Sequence, residues 1–140
     1  MLEKYSSICK EKQKIIVSRD SGAARTHRAL NLNGDLVRHY KIDGCVSKDK
    51  TIRKCDFLLI NDTKRDAYLI EVKGTDLLST IEQLEKTEEV LGADLRGYQK
   101  KYRIVYRANT HAITSSQYTK FCLRHKGNVK AKTDWLEEEI

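Results

Sequence analysis

The chain has 140 residues, of which 39% are hydrophobic and 34% charged, and its formal net charge is +7. This length and balance are typical of one globular domain and exclude an intrinsically disordered chain. A transmembrane helix is excluded as well, because the sequence has no run of about 18 apolar residues. The N-terminus lacks the apolar core of a secretory signal, so we expect a single cytoplasmic domain over residues 1–140.

The first half of the chain is predicted to form a helix and three strands. A weakly periodic helix is expected over Leu2–Lys14, a loop or short helix over Ser18–Asn33, and a first core strand over Asp35–Val46. Two apolar runs follow, Phe57–Ile60 and Ala67–Ile70, with a polar turn segment between them. Both runs are short and bounded by turn-forming residues, so the pattern predicts the two strands of a β-hairpin.

The second half of the chain is predicted to alternate helices with strands. The strongest helix is expected over Asp76–Leu91, because its leucine and isoleucine side chains fall within one narrow arc at about 100° per residue. The elements expected after it are a strand over Tyr98–Ala108, a helix from Thr114 or Ser115 to His125, and a strand over Asn128–Thr133. The terminal segment DWLEEEI is expected to be frayed or packed through Trp135.

The order of these elements predicts a sheet topology. Three sequential strands favour an antiparallel meander, and a helix after the third strand returns the chain parallel to its neighbour. The sequence therefore predicts an α/β fold in which a mixed central β-sheet is flanked by helices.

Three charged residues border the two apolar runs of the hairpin. Asp56 opens the first run, and Glu71 and Lys73 close the second. Because strand side chains alternate with period two, Glu71 and Lys73 share one face, and strand pairing would bring Asp56 to the same edge. Charged groups in an apolar setting are costly unless they are paired or bind a metal. Two carboxylates suit Mg²⁺, and Lys73 can position a water that attacks a phosphodiester.

Asp56 and Glu71 are separated by fourteen residues, and Glu71 begins the sequence Glu71-Val72-Lys73. This pattern resembles the signature of the PD-(D/E)XK nuclease superfamily, which has an acid on one core strand and acid-x-Lys on the next. The segments similar to small stand-alone bacterial members are Asp43-Gly44-Cys45, Cys55-Asp56-Phe57-Leu58, Glu71-Val72-Lys73-Gly74 and Glu82-Gln83-Leu84. The resemblance covers residues 36–108. Cys55 stands where the name of the superfamily expects proline, which many members also lack.

The resemblance implies a restriction-endonuclease-like core of order αβββαβ and a metal-dependent endonuclease activity. It implies that Asp56 and Glu71 hold Mg²⁺ or Mn²⁺ together with the backbone carbonyl of Val72. Lys73 is then expected to assist the attacking water.

Further site residues are left open by the resemblance. In several branches of the superfamily a helical glutamine, here Gln83, reaches the active site, but Thr87 stands where a tyrosine follows it. A polar residue bordering the core is an equally good reading of Gln83 from helix geometry. Many members take another acid from the first helix, for which Glu3 and Glu11 are available, and Asp43 is a further candidate.

The charge of the chain is unevenly distributed. Residues 76–94 carry six acids and one lysine, a net charge of −5, which leaves +12 for the rest. This basic excess favours attraction to nucleic-acid phosphates. The expected contacts are Arg25, Arg28, Lys101 and Arg103. DNA is the expected substrate and no membrane partner is expected; a cutter of both strands would be a homodimer, because it needs two active sites.

Three alternatives remain open from the sequence alone. Glu71 and Lys73 can form a solvated salt bridge on a surface hairpin. The same fold can bind DNA or RNA through its basic surface without cutting it. The acidic helix face of Glu82, Glu85 and Glu89 can instead bind a protein partner.

Overall fold

The computed structural model describes residues 2–19, 24–42, 55–72, 77–106 and 116–140, which form a mixed α/β fold with two sheets and two helices. The strands are β1 (Ile15–Arg19), β2 (Thr26–Leu30), β3 (Val37–Lys41), β4 (Phe57–Asn61), β5 (Asp66–Glu71), β6 (Gln99–Tyr106), β7 (Val129–Thr133) and β8 (Trp135–Glu139). The helices are α1 (Leu77–Val90) and α2 (Ser116–Arg124). Among the described residues, neither helix is long and apolar enough to cross a bilayer.

The larger sheet has five strands in the order β3-β4-β5-β6-β7. The first three pair antiparallel, whereas β5 with β6 and β6 with β7 pair parallel. Parallel neighbours need a crossover connection, and α1 and α2 lie in those two crossovers. The predicted meander with a parallel return is therefore confirmed. Every residue of β4 and β5 is buried, as expected for central strands covered on both faces.

The two faces of the large sheet are covered by different layers. On one face, Leu84 of α1, Leu91 directly after α1 and Phe121 of α2 pack against residues of β4 and β5 such as Leu58 and Leu69. The other face packs against a three-stranded sheet of order β1-β2-β8. In the described part of the chain both helices thus lie on one face, so the prediction of a central sheet flanked by helices is only partly right.

The three strands of the small sheet account for most of the wrong sequence predictions. The expected helix over Leu2–Lys14 is reduced to a single 3-10 turn, Leu2–Lys4, and the expected loop over Ser18–Asn33 contains β2. The terminal segment is neither frayed nor anchored by Trp135, which is half-exposed; it forms β8, parallel to β2. The strand expected over Asp35–Val46 is shorter, and residues 43–46 lie outside the described residues.

Between β7 and β8, the chain passes from the large sheet to the small sheet through a single residue. Asp134 alone separates β7 from β8, and its φ of 58° turns the backbone sharply. Its amide donates to the carbonyl of Tyr106 in the large sheet at 2.9 Å, and its carbonyl accepts from the amide of Thr26 in the small sheet at 3.0 Å. The backbone of Asp134 therefore forms hydrogen bonds with both sheets.

Polar side chains also connect the two sheets through their shared interior. Arg103 of β6 donates to Glu138 of β8 at 2.7 Å, and His27 of β2 lies 2.8 Å from the same carboxylate oxygen. Between β1 and β3, the Ser18 hydroxyl lies 2.9 Å from Nε2 of His39. These pairings offset the cost of burying ionic and polar groups between two apolar layers.

The environment of these groups shifts two pKa values. Burial, with a smaller contribution from nearby His27, lowers the pKa of His39 from 6.5 to about 4. Burial works to raise the pKa of Glu138, but hydrogen bonds from His27 and Arg103 outweigh it and lower this pKa from 4.5 to about 2. Both shifts mean that the folded protein takes up protons less readily than the unfolded chain.

We predict that acid destabilises the fold in two separate pH windows. His39 takes up its proton in the unfolded chain near pH 6.5 but in the folded protein only near 4, so stability falls as the pH drops through that range. The loss is at most about 3 kcal/mol. Glu138 adds a loss between pH 4.5 and 2, because its carboxylate is protonated first in the unfolded chain.

Urea unfolding across this pH range tests the prediction with two variants. His39→Gln cannot titrate, so between pH 6.5 and 4.5 its free energy of unfolding should fall less than that of the wild type, while the fall below 4.5 remains. Glu138→Gln should show the converse. Equal slopes in the wild type and His39→Gln above pH 4.5 would contradict the assignment to His39.

Candidate active site

The two acids predicted from the sequence lie at neighbouring strand ends. Asp56 immediately precedes β4 and Glu71 is the last residue of β5; since these strands pair antiparallel, the start of one lies beside the end of the other. Both side chains are shielded from solvent, with 3% of Asp56 and 0% of Glu71 exposed. Oδ2 of Asp56 accepts a hydrogen bond from the backbone amide of Val72 at 2.9 Å. The Asp56 carboxylate is thereby held at the residue that follows Glu71.

An offset in the strand pairing aims Asp56 at this position. The amide of Asp56 donates to the carbonyl of Ile70 at 3.1 Å, although Ile70 is the register partner of Phe57. Two consecutive residues thus face one, as in a β-bulge. The packing agrees: Cys55 lies in the helix-side core and Phe57 in the strand-side core, although residues two apart on a regular strand share a face. The bulge reorients the chain where the acid is needed.

Helix α1 supplies a polar partner for the second acid. In the amide orientation that satisfies its neighbours, the nitrogen of Gln83 donates to Oε2 of Glu71 at 2.6 Å and to the carbonyl of Ser79 at 3.3 Å. A hydrogen bond from an amide fixes the carboxylate without neutralising its charge. The structure therefore brings Gln83 to Glu71.

Thr87 was not singled out as a site residue from the sequence, yet it connects the helix to the strand that carries Asp56. Its hydroxyl accepts from the amide of Cys55 at 2.7 Å and donates to the carbonyl of Gln83 at 2.7 Å. The side chain is 1% exposed. Thr87 is thus a positioning residue, because one hydroxyl binds the backbones next to Asp56 and at Gln83. From the sequence, only the ability of a threonine within a helix to donate its hydroxyl to the carbonyl four residues earlier could have suggested this role.

The thiol of Cys55 responds to the charge of both acids. Burial is the main reason why the pKa of this thiol is raised; the Thr87 hydroxyl opposes the rise, while Glu71 and Asp56 both add to it by Coulomb repulsion. Because both carboxylates raise the pKa of the same buried thiol, they lie in one region of the protein. They concentrate negative potential beside the ends of β4 and β5.

Other predicted metal ligands do not join these two acids within the described part of the chain. Lys73 and Asp43 lie outside the described residues. Glu3 and Glu11 are exposed on the N-terminal segment, and the described residues contain no group of three or more His, Cys, Asp or Glu able to hold a metal. The described site therefore offers a cation the carboxylates of Asp56 and Glu71.

The predicted nucleic-acid contacts do not form one exposed basic surface. Arg103 and Arg25 are buried, with 3% and 7% exposed, which is the opposite of what a phosphate contact requires. Arg28 is paired with Glu137 at 2.6 Å. Lys101 is paired with Asp66 at 3.3 Å and lies over an aromatic ring. These ion pairs offset the positive charge that the sequence assigned to a nucleic-acid surface.

Comparison of the chain with protein-family models, with curated proteins and with solved structures finds no match. Function must therefore be inferred from the geometry of Asp56, Glu71 and Gln83. Carboxylate oxygens are the ligands that hard divalent cations prefer, and two of them at adjoining strand ends can bind such an ion with water and substrate completing its shell.

We predict that the hydroxyl of Thr87, and not its size, holds the site together. Thr87→Val keeps the shape but leaves the buried amide of Cys55 without its acceptor, which should lower the free energy of unfolding by about 1–3 kcal/mol. Thr87→Ser keeps the hydroxyl and removes one methyl group, a loss of about 1 kcal/mol. Urea unfolding of both variants measures the difference. A Thr87→Val variant as stable as Thr87→Ser would show that the hydroxyl does not hold these segments.

Proposed function

We propose that the protein is a divalent-metal-dependent nuclease of the PD-(D/E)XK superfamily that hydrolyses phosphodiester bonds in DNA. One observation carries the proposal: two buried carboxylates, Asp56 and Glu71, lie at the ends of adjacent central strands, and an amide from α1 hydrogen-bonds to one of them. The spacing Asp56, Glu71-Val72-Lys73 supplies the second support, because it resembles the signature of that superfamily.

The donor chemistry of the site fits Mg²⁺ or Mn²⁺. Asp56 and Glu71 present only oxygen atoms, and the backbone carbonyl of Val72 is a third oxygen at the same strand end. When bound, the cation polarises the phosphate and lowers the pKa of a water molecule, which are the two effects that phosphodiester hydrolysis needs. A bound cation would favour the ionised form of both buried carboxylates, because an opposite charge nearby stabilises that form.

The protein residues have separate parts in this mechanism. The amide of Val72 fixes the carboxylate of Asp56, and Gln83 fixes the carboxylate of Glu71. Both negatively charged groups are therefore oriented before substrate binds. Lys73 is proposed to position the attacking water or to stabilise charge on the phosphate. Thr87 acts indirectly, by keeping Gln83 and the segment before Asp56 in place.

The sheet topology agrees with the proposed family. An antiparallel β3-β4-β5 meander followed by α1 and a parallel β6 has the order βββαβ, which is the core order that the resemblance implies without its first helix. A restriction-endonuclease-like core is therefore proposed for β3 to β6. Because the chain has one such site, we propose that it acts as a homodimer where it cuts both strands of a duplex, whereas a nicking or single-strand enzyme could act alone.

We predict that nuclease activity requires Mn²⁺ or Mg²⁺ and both acids. The assay uses supercoiled plasmid, linear duplex, single-stranded DNA and RNA, each with Mn²⁺ or with EDTA. Asp56→Asn, Glu71→Gln and Lys73→Ala should each lower the cleavage rate roughly 100-fold or more, since each removes a metal ligand or the charge next to it. Glu82→Gln on the exposed side of α1 is the matched control and should cut like the wild type.

Metal binding can be measured without cleavage. Mn²⁺ should raise the melting temperature of the wild type and of Glu82→Gln, but not that of Glu71→Gln, because a ligand that binds only the folded protein stabilises it. Cleavage that persists in EDTA, or in Asp56→Asn, would contradict the proposal. Binding of nucleic acid without cutting would favour the non-catalytic alternative.

A further inference from the structure

A cleft of about 530 Å³ opens where the edges of the two sheets meet. It lies between β1, an edge strand of the small sheet, and β3, an edge strand of the large sheet, and the segment before β1 borders it. The residues that matter here are Ile8, Ile15, Val17, Arg19, Lys41 and Phe57. The volume lies within the range of about 300–1,000 Å³ that is usual for ligand sites.

The lining of this cleft combines exposed apolar side chains with positive charge. Ile8, Ile15 and Val17 are 61%, 37% and 46% exposed, and all three border the cleft. An exposed apolar cluster of this kind is typical of a binding surface. Arg19 and Lys41 bring two cations to the same cleft. The segment before β1 adds three exposed lysines against one glutamate: Lys10, Lys12, Lys14 and Glu11.

The cleft borders the start of β4. Phe57 lines the cleft and directly follows Asp56 in the chain. Lys41 is the register partner of Phe57, and the next residue, Ile42, donates its amide to the carbonyl of Asp56 at 2.9 Å. A ligand in the cleft would therefore lie near the start of β4, on the face of the large sheet opposite to α1.

We propose that this cleft binds a single-stranded stretch of nucleic acid. Unpaired bases expose flat apolar faces that can pack on Ile15 and Val17, while the phosphates between them face Arg19 and Lys41. In a duplex the base faces are hidden in the stack, so it cannot use the apolar wall.

An extended peptide is the other ligand that an edge strand can accept, by adding a strand to the sheet. The charges next to β1 oppose it, since lysines beside an edge strand are a common device against strand addition. The same lysines attract a polyanion. Charge thus favours nucleic acid over peptide at this cleft.

The test measures binding in EDTA, where cutting is blocked. Fluorescence anisotropy of one labelled oligonucleotide, as a single strand and as a duplex, should show the single strand bound roughly tenfold tighter. Arg19→Glu and Val17→Asp should each weaken single-strand binding roughly tenfold. Lys120→Glu, an equally basic-to-acidic change at an exposed position of α2 on the opposite face of the large sheet, should leave it unchanged.

Circular dichroism and thermal unfolding verify that each variant is folded, and Ile8→Asp in the segment before β1 replaces any variant that is not. Equal affinity for single strand and duplex, or variants that bind like the wild type, would overturn the inference, as would an acidic peptide that displaces the oligonucleotide. Metal-dependent cleavage without preferential single-strand binding sinks this inference alone. Single-strand binding without metal-dependent cleavage sinks only the proposed nuclease function.

Discussion

The candidate site depends on one backbone irregularity at the start of β4. The amide of Asp56 donates to the carbonyl of Ile70, although Ile70 is the register partner of Phe57. This bulge changes the direction of the Asp56 side chain from that of a regular strand, and its carboxylate accepts a hydrogen bond from the amide of Val72. Glu71 needs no such adjustment, since it lies at the end of a regular strand and meets Gln83 of the crossover helix. The two acids are therefore positioned by two different devices, a bulge and a helix contact.

The scaffold around the site is held from both sides. On the helix side, the hydroxyl of Thr87 accepts a hydrogen bond from the amide of Cys55, which lies just before Asp56, and donates one to the carbonyl of Gln83 within α1, both at 2.7 Å. On the other side, the small sheet covers the apolar residues of β4 and β5, and the buried pair of Arg103 and Glu138 joins the two sheets. The strands that carry the acids are consequently the most enclosed part of the described chain, which suits a site whose geometry must be fixed before a ligand binds.

The sequence predicted the elements whose signals are local. The hairpin, α1, β6, α2 and β7 follow from apolar periodicity and turn residues, and the two acids follow from their position next to apolar runs. The small sheet did not follow, because β2 carries Thr26, His27 and Arg28, which look like loop residues until a partner is known. The partner of His27 is Glu138, 111 residues away. The bulge at Asp56 and the role of Thr87 depend on backbone pairing, which no side-chain pattern encodes.

The corner at Asp134 gives the fold an order of assembly. As the chain is synthesised, β3 to β6 and α1 can associate long before residue 135 has been made, but one apolar face of that sheet still lacks its cover. β2 can already pair with β1, but its other edge stays open until the short turn at Asp134 delivers β8, its parallel neighbour, directly from β7. The nascent protein thus passes through a stage with an open hydrophobic layer, in which it is vulnerable to aggregation until its last strand closes the sandwich.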